Sequence, residues 1–133
     1  MASIFTKIIN REIPAHIVAE DDANIAFLDI NPLTQGHTLV VPKKEVDYIF
    51  DLDDETYVSL HLFSKKVAIA IQTVIPEKRI GTAVVGIEVP HTHIHLIPFT
   101  KMSELNWANP KLKLSNDALA AMAASIQTAF EEL

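Results

Sequence analysis

Three of the 6 histidines in this 133-residue chain fall within five positions: His91, His93 and His95, in the stretch Val89-Pro90-His91-Thr92-His93-Ile94-His95-Leu96-Ile97-Pro98. In a strand alternate side chains share a face, so the spacing predicts three imidazoles on one side with Thr92, Ile94 and Leu96 on the other. Packing gives no reason to gather three titratable rings, because like charges repel. Along a strand such neighbours stand about 6 to 7 Å apart and the outer two about 13 Å. A catalytic zinc instead draws its ligands together at about 2.0 to 2.2 Å. A helper such as Glu88 or His37 could complete a metal site, and that reading stays open. The other reading is nucleophilic catalysis. Histidine titrates near pH 6.5, so a neutral central ring can attack phosphorus while flanking N–H groups stabilise the oxygens that gain charge. A serine or cysteine mechanism has less support, since the chain has no Gly-x-Ser-x-Gly elbow and no cysteine. His16 and His61, taken singly, read as ordinary hydrogen-bonded residues.

The elements that must hold these rings can be read from periodicity. Phe5, Ile8 and Ile9 have helical spacing within Ile4 to Ile9, and Arg11-Glu12-Ile13-Pro14 stops that helix. Residues 16–20 and 25–29 flank Asp21-Asp22-Ala23-Asn24 and read as a β-hairpin. His37 to Pro42 is a third, β-branched strand after a loop bracketed by Pro32 and Gly36, with Lys43 and Lys44 beyond it in solvent. Asp51, Asp53 and Asp54 open a long helix with Leu60, Phe63, Val67, Ile71 and Val74 on one face, closed by Pro76. Residues 82–85 and 92–97, on either side of Gly86, read as two more strands. Ser115 caps a last helix carrying Leu119, Met122, Ile126 and Phe130. The order αβββαββα predicts an α+β domain with an antiparallel sheet.

Composition limits what such a domain can do. With 49% hydrophobic and 21% charged residues the chain fits one folded domain and excludes extensive disorder. The absence of cysteine removes disulfides and thiolate metal sites and makes a reducing cytoplasm the expected location. No window reaches the roughly 18 apolar residues of a membrane span, and no secretory signal is expected. A net charge of −6 argues against a nucleic-acid footprint. The expected protein is soluble, with neither membrane nor nucleic-acid partners.

The stretch from Val89 to Ile97 resembles the signature of the histidine triad family of nucleotide hydrolases and transferases. Ile4-Phe5-Thr6-Lys7-Ile8-Ile9, Glu12-Ile13-Pro14-Ala15, Glu20-Asp21-Asp22, Ala26-Phe27-Leu28-Asp29-Ile30-Asn31-Pro32 and Gly36-His37-Thr38-Leu39-Val40-Val41-Pro42-Lys43 are similar to the N-terminal half of its Hint-type branch. The resemblance covers roughly residues 3 to 99. It implies a five-stranded antiparallel meander sheet with one long helix packed on it, a short N-terminal helix and a C-terminal helix. Residues 1–133 then form one domain, with a C-terminal extension from about residue 100. It also implies a homodimer that hydrolyses or transfers at the α-phosphorus of a purine nucleoside phosphoramidate, dinucleoside polyphosphate or related nucleotide. By the same resemblance His93 is the nucleophile that forms a nucleotidyl-histidine, His91 and His95 orient it and bind phosphate oxygens, and His37 is a fourth active-site histidine near the leaving group. Phe5, Ile8, Phe27, Ile30 and Leu39 match the base pocket, and Asp29 matches the carboxylate that takes the ribose hydroxyls. From local chemistry alone, Asp29 reads equally as a turn residue at the Asn31-Pro32 corner and the apolar residues as core. No cofactor is expected.

Three departures stand out. Many relatives carry a Cys-x-x-Cys zinc pair where this chain has Ser3 and Thr6, so no structural zinc is expected. The loop before the triad, Gly81 to Pro90, lacks the Asn, Gln and Ser of its relatives, and Ile87 and Glu88 stand at the Gln-Ser step. A carboxylate there repels phosphate, which keeps open a nucleotide-binding protein with little turnover, beside a His-x-His metalloprotein. Trp107 and the helix from Ser115 have no counterpart in the motif. The long helix carries apolar Val58, Leu62 and Ala70 beyond its main stripe, a width that suits a partner subunit.

Overall fold

A computed structural model describes residues 2–133. Helix α1 (Ile4–Ile9) is capped by the Ser3 hydroxyl, which accepts the N–H of Thr6. Strands β1 (Ile17–Glu20) and β2 (Asn24–Leu28) form the expected hairpin, and the Asp21 carboxylate takes the N–H groups of Ala23 and Asn24 in its turn. Strand β3 (Thr38–Pro42) pairs antiparallel with β2. After a 3-10 turn over Ile49–Asp51, helix α2 (Asp54–Val74) starts at an Asp53 cap, with Asp54 and Glu55 in the first turn favourable to its dipole. Strands β4 (Arg79–Ala83) and β5 (Ile94–Phe99) follow, then a 3-10 turn over Met102–Leu105 and helix α3 (Asn116–Glu131) capped by Ser115.

The five antiparallel strands stand in the order β1-β2-β3-β5-β4. The first three make a meander; α2 then carries the chain over the sheet, and the last hairpin enters with its second strand against β3 and β4 at the edge. Both faces of the sheet are covered. Ala26, Leu28, Val40, Ile94 and Leu96 pack under Leu60, Phe63, Val67 and Ile71 of α2 and Leu119, Ala123 and Ile126 of α3. The alternate residues Ile25, Phe27, Leu39 and Val41 meet Phe5 and Ile8 of α1 on the other face. This period-two division is what the strand pattern requires. Ala70 is fully buried in the chain's own core, so it adds nothing to an outer face, whereas Val58, Leu62 and Ile69 are 43–59% exposed on the outside of α2.

Two expectations for the last hairpin are corrected. Its first strand is Arg79–Ala83 and not residues 82–85, because the ladder runs from Arg79 opposite Phe99 to Ala83 opposite His95 and stops there. Val84, Val85 and Ile87 lie exposed in the loop beyond it. The triad is likewise not a row on one strand: β5 begins at Ile94, so only His95 lies within it. Upstream, Thr92 leaves the sheet because its N–H and hydroxyl both bind the carbonyl of Val46, each at 2.7 Å.

Candidate active site

His95 stands opposite Leu39 on the α1 side of the sheet, and the ring of His93 lies 4.9 Å from it, centroid to centroid. Phe5 of α1 meets His93 edge-on at 5.0 Å, His91 at 5.8 Å and Phe27 at 5.5 Å. His37, immediately before β3, contacts His95 at 5.2 Å. Alternation along β5 and β3 therefore delivers His95 and Leu39 to the face that α1 closes. Phe5, Ile8, Phe27 and Leu39 form one buried apolar wall there with Ile25 and Val41. Ile30 is not part of that wall and is 63% exposed.

The hydrogen bonds fix which ring nitrogen carries each proton. The Leu33 N–H can only donate, so His37 Nδ1, 3.0 Å away, accepts, and the His37 proton lies on Nε2. That proton is donated to His95 Nδ1 at 3.0 Å, which leaves His95 with a donor N–H at Nε2. The carbonyl of His91 can only accept, so His93 donates from Nδ1 at 2.8 Å and keeps the free lone pair on Nε2. A nucleophilic nitrogen and a hydrogen-bond donor thus sit on adjacent rings, each oriented by a third group.

Burial keeps the supporting rings uncharged. It lowers His37 to about 4, with the Lys111 charge adding to it, and His95 to about 3, where the neighbouring His37 and His93 rings further oppose a second charge. His91 is also lowered, mainly by burial. Its ring has no exposed surface: Nε2 donates to the Pro42 carbonyl at 2.8 Å and Nδ1 accepts from the Ser3 hydroxyl at 2.7 Å. Both ring nitrogens are occupied, so His91 reaches the centre through its carbonyl and has no ring nitrogen to offer a phosphate.

Asp29 is the turn residue that one of its two sequence readings made it, and its second oxygen faces His37. One oxygen accepts the N–H of Asn31 at 2.8 Å and closes the turn; the other lies 3.7 Å from His37 Nε2. Burial raises its carboxyl, and Glu88 across the mouth adds to that rise. Asp29, His37 and His95 lie close enough together to be weighed as metal ligands. Their hydrogen bonds do not fit one. A metal on His37 Nε2 would displace its proton to Nδ1, against the Leu33 N–H that already points there.

Sequence reasoning passed over several residues that the fold brings here. A cavity of about 250 Å³ reaches His93 from the side of α2, lined by Tyr48, Phe50, Tyr57, His61 and Val85. His61 packs on Tyr57 at 4.3 Å and borders this cavity. Trp107 stands edge-on to His95 at 4.7 Å, and its segment is tied down where Leu112 N–H meets the Pro32 carbonyl. Ser3, Thr6 and Glu45 surround the far side of His91. Only Ser3 and Thr6 carried a signal, as polar residues at the zinc-pair positions.

The chain is similar to known proteins in sequence and fold. A family model described as HIT domain matches residues 10–102. The chain is 42% identical over 108 residues to a HIT-like protein of Borreliella burgdorferi, spanning 71% of this chain and 73% of that one. It is 36% identical over 102 residues to an adenosine 5'-monophosphoramidase of Schizosaccharomyces pombe, spanning 74% of each. The crystal structure of a Hit-like protein from Bartonella henselae superposes with a TM-score of 0.84 at 33% identity, covering 96% of this chain and 95% of that one.

Proposed function

Because this chain belongs to the HIT domain family, we propose that it is a nucleotide hydrolase or transferase that works by covalent catalysis at His93. The substrates are purine nucleoside phosphoramidates, dinucleoside polyphosphates or related nucleotides, attacked at the α-phosphorus. One observation carries the reading: the Nδ1–H of His93 is committed to the His91 carbonyl, which leaves its Nε2 lone pair beside the donor ring of His95.

In the proposed reaction Nε2 of His93 forms a bond to phosphorus while the bond to the leaving group breaks. The leaving group departs with the electron pair and takes up a proton from solvent. The Nε2–H of His95, backed by His37, donates to a phosphoryl oxygen as its charge grows. Water then attacks the nucleotidyl-histidine and gives up a proton to solvent, the N–P bond breaks with its pair returning to His93, and the nucleoside monophosphate leaves. Phe5, Ile8, Phe27 and Leu39 form the apolar wall offered to the base, with Ile30 at its open rim; Asp29 is placed to accept ribose hydroxyls. The monophosphoramidase name of the Schizosaccharomyces pombe relative supports a phosphoramidate substrate. In His93→Ala, cleavage of adenosine 5'-phosphoramidate falls by on the order of a thousandfold or more, and acid-quenched mass spectrometry no longer finds the nucleotidyl adduct seen in the parent. Unchanged cleavage by folded His93→Ala protein overturns the reading.

A second reading, nucleotide binding with little turnover, is favoured by Glu88, whose carboxylate lies near enough to Asp29 to raise it. Calorimetric binding of a purine nucleotide with no cleavage across a phosphoramidate panel would select it. A homodimer belongs to the same proposal, supported by the unpaired edge of β4 and the exposed Val58, Leu62 and Ile69 of α2. Sedimentation at micromolar concentration is expected to give the dimer mass. The cytoplasm is the proposed compartment, on the cysteine-free sequence. No helix among the described residues is long and apolar enough to cross a membrane.

A further inference from the structure

We propose that Glu45, with Ser3 and Thr6, forms a positioning set for His93 that acts through His91 from outside the reacting centre. This rests on the reading of His93 as the nucleophile. Glu45 lies in the loop after β3, and a single carboxylate oxygen, Oε1, accepts the backbone N–H of Ser3 at 2.7 Å and the hydroxyl of Thr6 at 2.6 Å. Those two bonds, the Ser3 N–H first, hold the carboxyl down to about 2, so it is a fixed anion.

The chain of constraints runs inward from there. The Pro42 carbonyl takes the Nε2–H of His91, so His91 Nδ1 accepts, and the Ser3 hydroxyl gives its proton there at 2.7 Å in preference to the Thr6 hydroxyl at 3.3 Å. With Nε2–H given to the Pro42 carbonyl, the His91 ring has one tautomer and one orientation. The carbonyl of the same residue receives the Nδ1–H of His93. The next residue, Thr92, is pinned to Val46 in the loop that carries Glu45. Glu45 Oε1 therefore ties α1 to the loop after β3, and the Ser3 hydroxyl and the Val46 carbonyl carry that tie on to the triad segment.

Removing the Ser3 hydroxyl leaves a buried acceptor unpaired, a state that costs about 1 to 3 kcal/mol and is relieved when the ring turns or shifts. Such a shift moves the His91 carbonyl and frees His93 to place its proton on Nε2, the tautomer that cannot attack. None of the Glu45, Ser3 and Thr6 side chains belongs to the apolar wall or bonds to Asp29, so the loss belongs in kcat more than in KM. Glu45 has 37% of its side chain exposed and makes none of the buried apolar contacts, which allows it to be changed without opening the core.

The test uses the full chain as Glu45→Ala, Ser3→Ala and Ser3→Thr, with kcat and KM on adenosine 5'-phosphoramidate and imidazole tautomers from nitrogen-15 NMR. We expect Glu45→Ala and Ser3→Ala to lose about tenfold in kcat with KM within twofold. Their His93 signal should shift from pure Nδ1–H to a tautomer mixture, and Ser3→Thr, which keeps the hydroxyl, should recover kcat to within threefold. Kcat within twofold of the parent in both alanine variants, or a loss with the His93 tautomer unchanged, overturns the inference. If Ser3→Ala does not fold, Glu45→Ala alone decides by the same readings. A parent chain that cleaves nothing defeats the hydrolase reading alone, and the His93 tautomer in Glu45→Ala then decides the positioning role: mixed supports it, unmixed overturns it.

Discussion

The charge of Glu88 adds to the negative potential that an anionic ligand meets beside Asp29. Glu88 is exposed in the loop between β4 and β5 and adds a small share to the rise of the Asp29 carboxyl. Near a surface, two like charges a few ångströms apart cost on the order of 1 kcal/mol after solvent screening. Glu88→Gln removes that repulsion and keeps the size of the side chain. KM for a purine nucleoside phosphoramidate is expected to fall by about threefold to tenfold, with the gain shrinking in high salt. A KM that rises, or that ignores both the substitution and the salt, would show that Glu88 makes a favourable contact in the complex. At this scale the sequence was legible where one residue type in one spacing implies a chemistry: His93, His95 and His37 are brought together. It was illegible where a role depends on which atom faces which partner. Nothing in the motif distinguishes His91, with both ring nitrogens occupied, from His95, with one free.

The helices were legible because each carries its own punctuation. Asp53 and Ser115 cap, Pro76 follows the end of α2, and the apolar stripes repeat at helical period, whereas α1 ends at Ile9 through Arg11 at φ +62°, before Pro14 is reached. The last hairpin was not, because its boundary is set by partners distant in sequence: Thr92 binds Val46 in place of continuing the ladder. The loop before β3 shows how an element positions a site residue. Gly36 has φ +90°, and a Cβ there would lie 2.8 Å from Ile75 Cδ1 and 3.2 Å from Pro98 Cγ. Its carbonyl accepts the Thr38 hydroxyl, and the next residue is His37. Gly36→Ala meets both a left-handed backbone penalty and an overpacked contact, together about 2 to 3 kcal/mol. The melting temperature should drop by about 10 °C, and the His37–His95 hydrogen bond should loosen with it. A melting temperature within about 2 °C of the parent would mean that the loop yields without strain.

Across the whole molecule, the buried imidazoles that arrange the site also make its stability depend on pH. His37 and His95 have folded values of about 4 and about 3, below the 6.5 of a free histidine. Between those limits the unfolded chain binds more protons than the folded one, so stability rises with pH across the window. Their contribution is complete above 6.5 and is lost as the solution is acidified toward 4 and then 3. The carboxylates with lowered values, Glu20, Glu45, Asp53 and Glu104, work in the same direction, but only below their ordinary values of 4.5 and 3.8. His91, also lowered, adds to the two rings, and Asp29, raised by burial, works the opposite way from 3.8 upward, so the interval from pH 7 to pH 5 is where the histidines dominate. Urea unfolding across it should show a loss of at least about 2 kcal/mol, approaching about 1.4 kcal/mol per pH unit for each such ring protonated in the unfolded chain. His95→Asn keeps a polar side chain but cannot titrate, and should remove about a third to a half of that slope. A profile flat from pH 7 to pH 5 would mean that these rings accept protons in the folded state. The Leu33–His37–His95 chain would then be unable to hold a donor at His95 Nε2 in the single state that the proposed chemistry uses.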